Sequence, residues 1–111
     1  MAVKVLIKRK VAHEHLQAIF GWITQLRSSA AKQPGYISGE TLMKADDPGQ
    51  YLVISTWETT EDWKAWLESE ERGEIQKKID EIIGEPTEYE VYQYPSKSLA
   101  TLKGFRGWEG G

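Results

Sequence analysis

Stretches of the chain switch between two hydrophobic periods, and the order of the switches leaves few topologies open. Val3, Val5 and Ile7 alternate with Lys4, Leu6 and Lys8, the period-two pattern of a strand. From about His13 to Ala31 the period lengthens. Leu16, Ile19, Phe20, Ile23, Leu26 and Ala30 recur at three- and four-residue steps and form one apolar helical stripe. Pro34-Gly35 breaks that helix and sets a turn. Tyr36 to Ala45 reads as a second strand, in which Gly39 marks a bulge or a close backbone approach. Asp46-Asp47-Pro48-Gly49 is a turn signal. Gln50 to Trp57 then forms a third strand, antiparallel to the second, with Leu52, Ile54 and Thr56 on one face and Tyr51, Val53, Ser55 and Trp57 on the other.

Thr59 and Asp62 have the spacing of a capping box at the start of a helix that carries Trp63, Trp66 and Leu67. Ser69-Glu70-Glu71 interrupts it, and Ile75, Ile79, Ile82 and Ile83 mark a further helical stretch ending near Gly84. Thr87 to Tyr94 is the fourth strand, stopped by Pro95. Strand, helix, strand, strand, helix, strand is the α+β, ferredoxin-like βαββαβ order. It places both helical layers on one face of a four-stranded antiparallel sheet. Residues 1–95 are expected to form this domain and residues 96–111 a C-terminal extension. The other sheet face is too apolar for solvent alone, so a homodimer packed sheet against sheet is expected. In the extension, Phe105 and Trp108 lie among glycines; either the segment is disordered or, as the two large aromatics favour, they anchor it on the partner subunit.

A chain of 111 residues holds one hydrophobic core. Cysteine is absent, which removes disulfides and thiolate chemistry and fits a cytoplasmic location. No apolar run approaches a membrane span, and a net charge of -3 argues against nucleic acid as a partner. The cluster Lys8-Arg9-Lys10 reads as the solvated end of a strand. His13 and His15, two residues apart, face away from each other and are expected on the surface, so no metal site is expected. Glu70 and Glu71 read as a solvated helix start, and no Ser nucleophile elbow or phosphate-binding glycine loop occurs.

The element order, Pro34-Gly35-Tyr36 opening the second strand, and Trp57-Glu58 leading into a helix with Trp66 together resemble the antibiotic biosynthesis monooxygenase (ABM) family over about Val3 to Tyr94. The resemblance implies a dimeric α/β-barrel of ferredoxin-like subunits, each with a cavity between helices and sheet. It implies a small monooxygenase that oxidises an aromatic or quinone-like compound with O2, without metal or flavin. A heme-degrading branch of the family has an Asn near the end of the first strand, a Trp on the second helix and an iron-binding His about ten residues further on. Trp66 matches that Trp, Lys8 or a neighbour stands at the Asn position, and Gln76 stands near the His position. An amide is not the usual iron ligand.

Under the oxygenase reading Trp66 is the principal pocket residue, with Trp63 beside it for stacking on a flat ring. Lys8 or Arg27 would stabilise a phenolate, and Gln76 is a further polar contact. Trp57 is assigned to the dimer interface and Trp22 to a rim or interface. Two alternatives remain open. One is a non-enzymatic binding protein for a small hydrophobic or heme-like ligand. The other is a structural domain whose core is filled by its own side chains.

Overall fold

The structure, a computed structural model, describes residues 2–95. Strands β1 (Val3–Lys10), β2 (Tyr36–Lys44), β3 (Asp47–Trp57) and β4 (Glu88–Gln93) form one antiparallel sheet in the order β2-β3-β1-β4. Helices α1 (Leu16–Ala31), α2 (Thr60–Leu67) and α3 (Glu70–Ile83) supply the helical layer, and α1 follows a single 3₁₀ turn at His13–His15. This is the expected ferredoxin-like architecture.

Register assigns the two faces. Val3, Val5, Ile7 and Arg9 of β1 stand opposite Trp57, Ser55, Val53 and Tyr51 of β3, and Ile7 stands opposite Tyr89 of β4. Directly opposed residues share a face. The inner face therefore carries Val3, Val5, Ile7 and Trp57, which enter the core with Ile19 and Leu26 of α1, Trp63 and Trp66 of α2, and Ile75 and Ile79 of α3. Each such side chain contributes roughly 1.5–3 kcal/mol when fully buried. The outer face carries Leu6, Leu52, Ile54 and Leu42 among Lys4, Lys8, Glu88 and Glu90.

The caps follow from side-chain chemistry. The Thr59 hydroxyl accepts from the Asp62 backbone N–H at 3.0 Å and starts α2. The reciprocal half of the capping box is absent, because the Asp62 carboxylate instead accepts from the Thr59 hydroxyl at 2.8 Å. Ser69 divides α2 from α3, accepting from Arg72 N–H at 3.2 Å and donating to the Trp66 carbonyl at 2.8 Å. Between β2 and β3 the reversal lies at Ala45-Asp46, since Lys44 pairs with Asp47, and not over the whole of Asp46 to Gly49. Pro48 and Gly49 extend β3, where the Gly49 carbonyl accepts from Val11 N–H at 2.7 Å.

Three other expectations change. Trp57 is 1% exposed on the helix side of the sheet, so it belongs to the core and not to an outer-face interface. Phe20 is 72% exposed and leaves the buried stripe of α1. Arg9, read as part of a solvated strand end, is 5% exposed. Phe105 and Trp108 lie outside the described residues. Among the described residues no helix is long and apolar enough to cross a membrane.

Candidate active site

The alternation of β1 carries its fourth inward position to Arg9, so the apolar row Val3, Val5, Ile7 ends in a guanidinium under the helices. A buried guanidinium needs acceptors. Arg9 Nη2 donates to Gln76 Oε1 at 3.1 Å, while Arg9 Nε finds no acceptor among the described residues. Burial, its largest influence, pulls the Arg9 pKa below its ordinary value, and the nearby Arg72 charge acts in the same direction.

Gln76, on α3, is the hub of a polar cluster. Its Oε1 accepts from Arg9 and from the Tyr89 hydroxyl at 3.2 Å, and its Nε2 donates to Asp80 Oδ1 at 2.9 Å and Thr87 Oγ1 at 3.0 Å. Arg72, one turn earlier and also buried, donates to the Leu67 carbonyl at 3.2 Å and to the Tyr89 hydroxyl, and its guanidinium lies 5.1 Å from the Tyr89 ring centre. Burial raises the Tyr89 pKa, although both arginines oppose that shift. The phenol therefore remains neutral and continues to donate.

Aromatic rings adjoin this cluster in a chain of edge and tilted contacts. Tyr36 meets Trp57 at 5.4 Å, Trp57 meets Trp63 at 5.9 Å, and Trp63 meets Tyr89 at 5.9 Å. Two glycines shape the approach. Gly35 has φ of 83°, and a Cβ there would clash with the Asp62 side chain. At Gly39 a Cβ would lie 2.6 Å from the Tyr36 hydroxyl, so the close approach expected from the sequence is to a side chain.

Two cavities open beneath the helices. The smaller, about 50 Å³, is bordered by Trp57, Trp63, Trp66, Arg9, Arg72 and Tyr89. The larger, about 280 Å³, lies between α1 and the sheet against Leu16, Ile19, Phe20 and Tyr51. Arg9, Ile23, Arg27 and Val53 are walls of both. The structure thus brings Trp66, Trp63 and Arg27 to one hollow. Lys8 lies on the opposite face of the sheet, in an exposed ion pair with Glu90 at 2.8 Å. Gln76 stands behind the hollow and reaches it through Arg9 and Tyr89. Arg9, Arg72 and Tyr89 were not anticipated. Arg9 keeps step with Val3, Val5 and Ile7, and Arg72 keeps helical step with Ile75 and Ile79, so the signal was present in the phase of the apolar rows.

The sequence matches the antibiotic biosynthesis monooxygenase family over residues 2–78. The chain belongs to that family. A curated relative, Protein SchA of Streptomyces halstedii, is 29% identical over 59 residues, which is 53% of this chain and 16% of SchA; the chain thus spans a small part of that relative's length. Among solved structures, a conserved protein from Methanosarcina mazei superposes with a TM-score of 0.77 at 20% identity, covering 84% of this chain and 92% of the other. SnoaB, a cofactor-independent oxygenase from Streptomyces nogalater, gives a TM-score of 0.74 at 14% identity, covering 86% of this chain and 95% of SnoaB. Rv0793 from Mycobacterium tuberculosis gives 0.75 at 12% identity, covering 88% and 99%. At these identities the structural likeness is one of fold.

Within the antibiotic biosynthesis monooxygenase family, a heme-degrading route would ask for an iron ligand near Gln76. Both lone-pair sites and both N–H groups of the Gln76 amide already have partners. His13 and His15 border neither inner cavity. Neither Gln76 nor a histidine is therefore placed to ligate a heme iron in these cavities.

Proposed function

We propose that this chain is a small monooxygenase that oxidises an aromatic or quinone-like compound in the hollow between α1 and the sheet. The family match makes monooxygenase chemistry the starting point, and the observation that carries the reading is the pair of cavities with shared walls. An apolar space of about 280 Å³ is close to the size range of small-molecule sites. Across those shared walls lies the smaller cavity, bordered by Trp66, Trp63 and three arginine side chains. In this reading the ring lies against Ile19, Ile23 and Tyr51, its oxygenated edge points toward the arginines, and the indoles of Trp66 and Trp63 close the inner wall.

The chemistry asked of the site is modest. A phenolic substrate loses a proton and becomes an electron-rich, carbanion-like anion, which the arginines stabilise and the apolar walls keep from water. That anion supplies the electrons that reduce O2. One oxygen atom becomes the new carbonyl oxygen in place of two hydrogens on carbon, and the other leaves as water. Anthrone-type substrates with O2 uptake as readout test the reading. Uptake above the buffer rate is expected, and none would remove the reading for that substrate class. Binding without uptake would point instead to a carrier.

The reading includes a homodimer formed through the outer sheet face, supported by Leu6, Leu42, Leu52 and Ile54 lying together there and by the partial exposure of Leu42 and Tyr92. Sedimentation as a monomer at micromolar concentration would remove that element. A cytoplasmic location accords with the cysteine-free composition.

A further inference from the structure

The larger cavity is there because β2 offers little to fill it. Protein interiors leave few voids, so a space of about 280 Å³ under a helix needs a cause. The inward positions of β2 are Gly39, Thr41 and Met43, which stand opposite Ser55, Val53 and Tyr51 of β3. Gly39 has no side chain, and the Tyr36 hydroxyl already fills the place its Cβ would take. Thr41 is short. β2 is also an edge strand, so no further strand supplies side chains beyond it. Helix α1 thus spans a margin of the sheet that is low in volume, and the space against Ile19, Ile23 and Val53 stays unfilled.

The walls also show where the cavity opens. Ile19 and Val11 are buried, whereas Phe20, Thr24 and Arg27 of α1 and Thr41 of β2 are exposed. The opening therefore lies at the sheet edge, between α1 and β2. A large apolar side chain stands in water on each rim. Phe20 is 72% exposed on the helix side, and Met43, the inward position next to Thr41, is 55% exposed on the strand side. Neither is needed to close the core, and each has apolar area that a guest in the cavity would cover.

We infer that Phe20 and Met43 are a binding rim: a flat ring enters at the sheet edge between α1 and β2, and these two side chains cover its outer end. The inference rests on the reading of this hollow as the substrate site. The phenyl ring of Phe20 offers the guest an edge or offset-stacked contact, and the Met43 thioether is flexible and favours aromatic neighbours. Both contacts form only when the cavity is filled. Phe20 therefore acts on affinity and hardly on folding, which sets it apart from a core phenylalanine. Thr41 is the complementary position. A larger apolar side chain there supplies the volume that β2 lacks and closes the way in.

The full chain and its variants Phe20→Ala, Met43→Ala and Thr41→Leu are titrated with 1,4-naphthoquinone by calorimetry, and each is unfolded in urea. The chain has no cysteine, so no thiol adds to the quinone. Phe20→Ala is expected to weaken binding about five- to tenfold and Met43→Ala about threefold, with urea midpoints unchanged. Thr41→Leu is expected to weaken binding about tenfold or more, with a midpoint equal to the parent's or higher. Parent-like affinity in either Phe20→Ala or Thr41→Leu overturns the rim and leaves the hollow standing as the binding site. A lowered midpoint in Phe20→Ala with unchanged affinity assigns that ring to the fold, and a smaller sedimenting species assigns it to a contact between copies; either overturns the rim. No binding to the parent chain overturns the reading of the hollow, and the rim with it.

Discussion

The Arg9 guanidinium donates to Gln76 Oε1 at 3.1 Å across 67 positions of sequence, joining the end of β1 to the middle of α3 from inside the protein. Gln76→Ala leaves both Arg9 and the Tyr89 hydroxyl without their shared acceptor in a buried site. The expected loss is about 3 kcal/mol of unfolding free energy, because a buried orphaned donor costs more when it is charged. Urea denaturation followed by tryptophan fluorescence measures it, and a loss within error of zero would show that the cluster is not a structural tie.

Trp57 and Trp66 should respond differently to Phe. The Trp57 indole donates to Ser55 Oγ at 3.1 Å and makes edge contacts with both Tyr36 and Trp63. Trp57→Phe should cost about 2 kcal/mol from the hydrogen bond and weakened ring contacts. Trp66 borders the cavity and takes no part in that chain of rings. Trp66→Phe should therefore cost less stability and change ligand affinity more, which denaturation and calorimetric titration on the same samples will separate.

Gly35→Ala combines two penalties, a left-handed backbone and a clash with the Asp62 carboxylate. A loss of about 1–3 kcal/mol is expected. Asp62→Ala in the same chain removes the carboxylate part of the clash but leaves its own Cβ 2.6 Å from the new one together with the backbone strain, so the double variant should lose only modestly less than the sum of the singles, as a double-mutant cycle in urea would show.

Tyr89 makes stability depend on alkaline pH. Burial raises its folded-state pKa above the ordinary 10.0. Its contribution is therefore complete below pH 10.0 and is lost as pH rises from there through the folded pKa, because only the unfolded chain ionises first. Tyr89→Phe removes that slope. The gap in unfolding free energy between the parent chain and Tyr89→Phe should shrink as pH is raised above 10.0, and a constant gap would contradict the burial argument.

Period and punctuation made the element order legible because apolar residues on a two-layer fold must keep step with their own backbone. Leu26, Ile75 and Ile79 were readable as core for that reason. The β2–β3 reversal was not placed correctly, since Pro48-Gly49 is a strong local turn signal and only the distant Val11 N–H gives Gly49 a reason to stay in the sheet. Trp66, Trp63 and Arg27 border one small cavity, as their grouping in the sequence anticipates, whereas Lys8 faces the other side of the sheet and its neighbour Arg9 faces the helices. Charge alone marks Lys8, Arg9 and Lys10 as equivalent, while the face of the strand separates them. Arg72 and Tyr89 were missed because a polar residue on a buried face looks like a surface residue until its partners are known.

The hydroxyl of Ser69 has a consequence for how the pocket can vary. It accepts from the Arg72 amide and donates to the Trp66 carbonyl, so one side chain bonds to both sides of the junction where the helix bearing the indoles passes to the helix bearing the cation. Backbone bonds from Ser69 to Trp66 and from Gly73 to Ser69, and the Arg72 guanidinium on the Leu67 carbonyl, hold the same junction, so the indole wall and the cation are carried by one stiff corner and would shift together if that corner moved.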